Sequence, residues 1–233
     1  MDIADLRPVA QKLFTEIGAL SRDGIGISRD SYGAGETATI QYLQRFAAEH
    51  GLAWQLDAAA NVHFSSPNDT AGNAAIVIGS HLDSVPQGGN FDGLAGVVAG
   101  LLCLIARGDG TPPSASTRSP MRVIGFRGEE SAWFGKAYIG SSACFGKLSA
   151  EDLALTHRRT GETLASCLEK TGADLALIRS RTPLLHKQHI RAYFELHIEQ
   201  GPVMVARKLP VGVVPSIRGN LRHNRISCVG EAG

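Results

Sequence analysis

The 233-residue sequence has no excess of charge of either sign. Its 23 lysines and arginines almost balance its 22 acidic residues, which leaves a formal net charge of +1. Proteins that bind nucleic acids usually carry a clear basic excess or a basic patch, and no basic block or strongly basic helix occurs here. We therefore expect no nucleic-acid partner.

Cysteine is scarce and long apolar runs are missing. The four cysteines form no C-x-x-C pair, so we interpret them as reduced residues of the core and not as metal ligands. The sequence contains no G-x-S-x-G motif, the pattern that would indicate a serine nucleophile. The longest apolar run, 94–106, is too short to span a bilayer, and the charged first twenty residues do not resemble a signal-peptide core. We predict a cytoplasmic protein that does not bind a membrane.

The apolar pattern predicts an α/β fold with a mostly parallel sheet flanked by helices. Apolar residues at helical spacing predict helices over residues 3–20, 37–50, 93–106, 135–146, 150–155 and 161–171. Strand patterns occupy residues 53–56, 62–64, 74–79, 122–126 and 191–197. The runs 74–79 and 122–126 are almost continuously apolar, which is typical of strands buried on both faces.

The pattern changes after Gly201. Strand-like stretches at 211–214 and 222–230 indicate a different sheet, so we predict a catalytic domain over 1–211 and the first strands of a second domain over 212–233. A second domain of that length cannot bury a core of its own. The expectation is that this sequence is an amino-terminal fragment of a longer protein.

Three predicted strands end in clusters of ionisable residues. The first strand is followed by His81, Asp83 and Asp92, the next by Glu129 and Glu130, and the third by His197 and Glu199; these are the candidate site residues. In open α/β sheets, ligands bind in the crevice beyond the carboxyl ends of the strands. We therefore expect the three clusters to meet at one edge of the sheet.

The residue types in these clusters suit a divalent metal site. Two imidazoles with several carboxylates match the preferences of Zn²⁺, Mn²⁺ and Co²⁺. Asp83 lies two residues after His81, so it can accept a hydrogen bond from the ring nitrogen that does not face the metal. Asp92 follows the pair Gly88-Gly89 and precedes Gly93, and a carboxylate on such a loop can bridge two ions.

Each cluster taken singly has an ordinary structural interpretation. A lone histidine at a strand end is usually structural, a glycine pair is usually a turn, and adjacent glutamates are often a solvated strand end. We interpret five other histidines as structural or exposed, namely His50, His63, His157, His186 and His189, and we keep His223, beside Arg222, as a candidate lining residue of a site. The coincidence of three clusters at strand ends favours a metal-dependent hydrolase.

The motifs resemble a known family. The segments GSHLDSVPQGGNFDGLAGVVAGL (79–101), GEESAWFGKAYIGS (128–141) and ELHIEQGPVM (195–204) resemble those of N-carbamoyl-L-amino-acid hydrolases. Allantoate amidohydrolase and β-alanine synthase are close relatives within the dimetal aminoacylase/carboxypeptidase superfamily. The resemblance runs from about residue 24 to the last residue. One departure is Ala60, which stands where many members have glycine.

The resemblance implies roles for individual residues. His81 and His197 would hold one ion, Asp92 would bridge to a second ion, and Glu130 would bind that second ion. Glu129 would be the general base and Asp83 would orient His81. The resemblance further assigns substrate contacts to two residues, Gln200 and Arg222.

The resemblance also implies a dimetal exopeptidase-like catalytic domain and an α+β lid domain that forms a homodimer in the full-length protein. The family continues beyond the last residue here with further site histidines, so it implies that this chain alone lacks a ligand of the second metal and is inactive. The function implied for the full-length protein is hydrolysis of the carbamoyl C–N bond of N-carbamoyl-L-amino acids with two ions of Zn²⁺, Mn²⁺ or Co²⁺. Allantoate amidohydrolase activity, aminoacylase or dipeptidase activity, and an inactive metal-binding remnant remain as alternatives.

Overall fold

The computed structural model describes residues 5–69, 73–108, 119–216, 227 and 229–230. The described strands are β1 (Arg22–Asp23), β2 (Gly26–Ile27), β3 (Ala53–Leu56), β4 (Val62–Ser65), β5 (Ala75–His81), β6 (Met121–Phe126) and β7 (Ile190–Phe194). The described α-helices are α1 (Leu6–Leu20), α2 (Ala34–Glu49), α3 (Leu94–Arg107), α4 (Ser131–Phe134), α5 (Ile139–Cys144), α6 (Ala150–Leu153), α7 (Leu164–Lys170), α8 (Leu175–Arg179) and α9 (Val203–Ala206).

The α/β fold is confirmed, with a five-stranded sheet in the order β3-β4-β6-β5-β7. Strand β5 pairs in parallel with both β6 and β7, whereas β4 pairs antiparallel with both β3 and β6. The hairpin of β3 and β4 makes the sheet mixed, since a short turn can join only antiparallel neighbours. The parallel part of the sheet is the part whose strands lead to the candidate site residues.

Both faces of the sheet are covered. The large core cluster joins α1, α2 and α3 to one face through Val123, while the adjacent Ile124 belongs to a separate cluster that includes Cys144 of α5. Neighbouring residues of a strand point to opposite faces, so helices pack on each side, as expected. The expectation that the cysteines lie in the core is wrong for Cys103, which is exposed on α3.

The helix predicted over 135–146 is interrupted. Gly135 and Tyr138 have φ angles of 76° and 62°, which a continuous α-helix does not allow, so α4 ends before the predicted range and only α5 forms within it. Together with α6, α7 and α8 they bury a second apolar cluster that includes Trp133 and Leu164. Along the described segments, every helix is too short or too polar to cross a membrane.

The chain divides into two compact units, Met1–Ile198 and Glu199–Gly233. The first unit contains the sheet and α1 to α8, and the second contains α9. Residues 211–214, predicted as a strand, are not in a strand in the structure, and the predicted strand 222–230 lies mostly outside the described residues. The domain boundary after residue 211 stays a prediction.

Candidate metal centre

The candidate residues meet where the parallel strands end. His81 is the last residue of β5 and lies in register with Phe126, the last residue of β6. Glu129 follows Phe126 by three residues, and His197 follows the end of β7 at Phe194 by the same number. The first turn beyond each of the three strands therefore delivers one cluster to the same edge of the sheet, which is the arrangement that the sequence predicts.

His81, Asp92 and His197 form the first group of possible ligands. The two Nε2 atoms lie 3.4 Å apart, and Asp92 Oδ1 lies 3.7 Å from that of His81 and 3.3 Å from that of His197. Two ligands at about 2.1 Å from one tetrahedral ion lie about 3.4 Å from each other. The spacing of these three atoms thus fits a zinc-sized cation between them.

His81, Glu129 and Glu130 form the second group, in which one possible ligand atom from each side chain lies within 4.8 Å of the others. Adjacent side chains on extended backbone point in opposite directions. The structure differs because Gly128 has a φ of 61° and the chain turns there, so both carboxylates face His81. This group thus offers further possible ligand atoms and shares His81 with the first group.

Asp83 is the buried centre of the hydrogen-bond network. Its Oδ1 lies 3.4 Å from Nδ1 of His81 and accepts the backbone N–H of Glu129 at 3.0 Å. Its Oδ2 accepts the backbone N–H of Glu130 at 2.9 Å and the hydroxyl of Ser31 at 2.6 Å. The main-chain oxygen of Asp83 lies 3.0 Å from the same ring nitrogen of His81. Nε2 of His81 is consequently the nitrogen that faces the possible ligands.

Glycine is required at one position beside this histidine. Gly93 has a φ of 65°, and a Cβ built there would lie 2.5 Å from both Nδ1 and the carbonyl oxygen of His81. Asp92 can approach the end of β5 only because the next residue has no side chain. The expectation that glycine allows a close approach of this loop is confirmed at this residue.

The pKa values in the site shift in opposite directions. Burial alone would lower the pKa of His81, but Asp83, Glu129 and Glu130 raise it to about 9. Burial and the neighbouring Glu129 raise the pKa of Glu130 to about 7, and burial likewise raises the pKa of Glu129. Burial would also raise the pKa of Asp83, but the donated hydrogen bonds and His81 hold it below its usual value. Burial and crowding thus favour the protonated forms of Glu129 and Glu130, whereas Asp83 favours its ionised form.

Sequence reasoning missed Arg29 and Ser31. They lie in the polar, glycine-rich stretch 23–35, to which the apolar pattern assigns no helix or strand, yet both side chains are completely buried and both contact the site loop. The available signal was the position of Arg29-Asp30-Ser31 between Ile27 and Tyr32, two residues that are themselves buried. A local sequence pattern does not reveal that such polar residues are buried, because their hydrogen-bond partners are distant in the chain.

The structure does not test the two predicted substrate residues. Gln200 belongs to the second compact unit and is exposed. Arg222 lies outside the described residues. Glu199, also in the second unit, accepts the backbone N–H groups of Val203 and Met204 at the start of α9. The roles of Gln200 and Arg222 stay predictions.

The comparisons with known proteins agree with this geometry. The chain matches no protein-family profile. It is 35% identical over 194 residues to the N-carbamoyl-L-amino acid amidohydrolase of Geobacillus stearothermophilus, a match that covers 83% of this chain and 46% of that protein. It is 29% identical over 219 residues to allantoate deiminase 2 of Glycine max, with 93% of this chain and 44% of that protein covered.

A solved structure shows the same fold. The chain superposes on the hydantoinase/carbamoylase family amidase of Burkholderia ambifaria with a TM-score of 0.66 and 30% identity, covering 85% of this chain and 47% of that one. The chain spans about half the length of the curated relatives it matches.

Proposed function

Because the chain is related over most of its length to carbamoylase-type amidohydrolases, we propose that it forms the metal-binding part of an enzyme that hydrolyses the carbamoyl C–N bond of N-carbamoyl-L-amino acids. The observation that carries the proposal is the convergence of His81, Asp92 and His197 with Glu129 and Glu130 beyond three parallel strands. The 35% sequence identity to an N-carbamoyl-L-amino acid amidohydrolase supports N-carbamoyl-L-amino acids as the substrate class.

We propose His81, Asp92 and His197 as ligands of one ion, with Asp92 and Glu130 as ligands of the other. The mixed imidazole and carboxylate donors suit Zn²⁺, Mn²⁺ or Co²⁺, and the separation of 3.4 Å between the two imidazole nitrogens favours an ion as small as Zn²⁺. When bound, a pair of such ions supplies Lewis acidity that polarises a carbonyl group and lowers the pKa of water toward ~7.

Glu129 is the proposed general base. Its side chain is 29% exposed, so water can reach a carboxylate that also faces Nε2 of His81 at 3.9 Å. Burial raises its pKa, which brings a carboxylate closer to the range in which it accepts and returns a proton near neutral pH. Glu129 takes the proton from the attacking water and returns it to the departing nitrogen. Asp83 holds the tautomer and orientation of His81 throughout.

Allantoate is the second candidate substrate. The similarity to allantoate deiminase 2 extends over 93% of the chain, further than the match to the carbamoylase. Both substrates present a ureido carbonyl group and a carboxylate, so the same site chemistry serves either. Contacts from Gln200 and Arg222 to the substrate, and the homodimer implied by the resemblance, are further parts of this proposal.

Ammonia release tests the reaction. The full-length protein is loaded with Zn²⁺, Mn²⁺ or Co²⁺ and incubated with N-carbamoyl-L-amino acids and, separately, with allantoate. Glu129→Gln removes the base at constant size, so we expect turnover to fall at least about 100-fold while metal binding is retained. Glu49→Gln, an exposed change at the end of α2, is the matched control. Undiminished turnover by Glu129→Gln contradicts the assignment of the base.

Metal binding tests the site without a substrate. Competition with a chelator measures the Zn²⁺ affinity of the purified chain and of His197→Ala. We expect the substitution to weaken binding strongly, because it removes one of three converging donors. His186→Ala removes an exposed imidazole elsewhere in the same unit and should leave the affinity unchanged. Equal affinities for all three proteins would refute the proposed ligand set.

A further inference from the structure

A buried segment runs along the loop that carries the candidate ligands. Residues 27–31, here called the strap, are joined to residues 84–88 of that loop. Ile27 and Gly88 exchange backbone hydrogen bonds of 3.0 and 2.8 Å. Ser84 donates its N–H to the carbonyl of Arg29 at 2.9 Å, and its hydroxyl accepts the N–H of Arg29 at 2.9 Å. The strap is therefore part of the support of the site loop.

Arg29 connects the two ends of the site loop. Its Nε donates to the carbonyl of Leu82 at 2.7 Å, next to His81. Its two terminal nitrogens donate to Oδ1 of Asn90 at 3.3 Å and to the carbonyl of Asp92 at 3.4 Å. The rigid guanidinium group of Arg29 thus fixes the distance between Leu82, which follows His81, and Asp92.

The charge of Arg29 is retained although the side chain is fully buried. Burial lowers its pKa to about 10, while Asp83 and Asp92 act in the opposite direction. At neutral pH the residue therefore remains a cation beside two acidic groups of the site. Burying a charge is costly unless it is paired and hydrogen-bonded. The described hydrogen-bond partners of the Arg29 guanidinium group all belong to the site loop.

Ser31 holds the other key group of the site. Its completely buried hydroxyl donates to Oδ2 of Asp83 at 2.6 Å. The same carboxylate accepts the N–H groups of Glu129 and Glu130. Rotation of Asp83 would break all of these bonds and would move Oδ1 away from His81. The hydroxyl of Ser31 is the only one of these donors that does not come from the site clusters themselves, among the contacts of the described residues.

We propose that Ser31 and Arg29 are positioning residues that set the spacing of the candidate ligands before any ion binds. Ser31 fixes the orientation of Asp83, and through it His81 and the Glu129–Glu130 turn. Arg29 fixes the ends of the loop that joins His81 to Asp92. The effect on metal ligands rests on the proposed function. The hydrogen bonds of Ser31 and Arg29 do not depend on that function.

Hydrogen exchange of the metal-free chain tests the role of Ser31 directly. In Ser31→Ala, Asp83 loses its buried donor, so the amides of Glu129 and Glu130 should exchange about fivefold faster, the effect of one lost hydrogen bond. Ser31→Thr retains the hydroxyl and should restore the slow exchange. Ser21→Ala is the matched control, since that nearly buried hydroxyl donates within α1, to Ile17. Unchanged exchange at both amides in Ser31→Ala overturns the proposal.

Cobalt binding tests the consequence for the ligands. Loss of a residue that orients a ligand typically costs 10–100-fold in metal affinity. We expect such a loss of Co²⁺ affinity and an altered Co²⁺ absorption spectrum in Ser31→Ala and in Arg29→Lys, which keeps the charge but not the guanidinium group. Parental affinity and spectrum in both variants would overturn the proposal. If the parental chain binds no Co²⁺, the proposed function fails, while the exchange of the metal-free chain still decides the role of Ser31.

Discussion

Replacing Gly93 by alanine should damage the site more than any other single methyl group added to its loop. Gly93 combines φ of 65° with ψ of −53°, which an L-residue adopts only with strain. The new Cβ would also lie 2.5 Å from the ring and the carbonyl oxygen of His81. Relief of the clash must move either β5 or the amino-terminal end of α3, and both are buried.

Two contributions set the size of the effect. Positive φ costs a residue with a Cβ about 1–2 kcal/mol, and overpacking of a close-packed region costs about 1–3 kcal/mol. The free energy of unfolding should therefore fall by about 2–5 kcal/mol. For a chain of this size that corresponds to a decrease of the melting temperature on the order of 10 °C. Zn²⁺ affinity should fall as well, because His81 is displaced.

The assay compares Gly93→Ala with Gly89→Ala. Gly89 lies in the same loop, its φ is not in the left-handed region, and an added Cβ there would meet no atom within 4 Å. Thermal unfolding of the metal-free chain and chelator competition for Zn²⁺ should show a large loss for the first variant and little change for the second. Equal behaviour of the two variants would refute the reasoning.

Two further predictions concern the scaffold. Ala60→Gly should change the free energy of unfolding by less than about 1 kcal/mol in urea denaturation, because Ala60 has φ of 59° and the strain relieved is offset by the added entropy of the unfolded chain and by the loss of a buried methyl group; a larger change in either direction would contradict this. His157 accepts two backbone N–H groups through Nδ1, and burial lowers its pKa, so folding disfavours its protonation and stability should fall as pH drops below its unfolded pKa of ~6.5. His157→Asn keeps an acceptor without titrating, so its melting temperature should depend less on pH between 7 and 5, whereas the exposed His186→Asn should behave as the parent does.

The sequence predicts the parallel strands and the site clusters because both follow from local patterns. An apolar run such as that of β5 has to be buried on both faces, and its first ionisable residue, His81, then lies at the edge of the sheet. The same reasoning places Glu129 after β6. Only the assumption of parallel pairing is needed to bring them together, and β5 and β6 do pair in parallel.

Contacts between distant segments could not be predicted in this way. Ser31 and Asp83 are 52 residues apart, and Arg29 reaches Asp92 across 63 residues. Neither Arg29 nor Ser31 belongs to a periodic apolar pattern, and arginine and serine side chains are usually exposed. The backbone turn at Gly128 also has no apolar signal, so the common orientation of the adjacent glutamates became visible only in three dimensions.

The opposite pKa shifts of the site carboxylates divide them by role. Asp83 and Glu130 lie in the same pocket of low solvent access, yet the pKa of the first is lowered and that of the second is raised to about 7. The difference arises because protein donors, including Ser31, satisfy the charge of Asp83, whereas Glu130 faces mainly other carboxylates. A carboxylate whose charge the protein already neutralises acts as scaffold, and one whose charge it leaves uncompensated is suited to bind a cation. By this criterion Asp83 is suited to orient and Glu130 to bind, which is the division of roles that we propose.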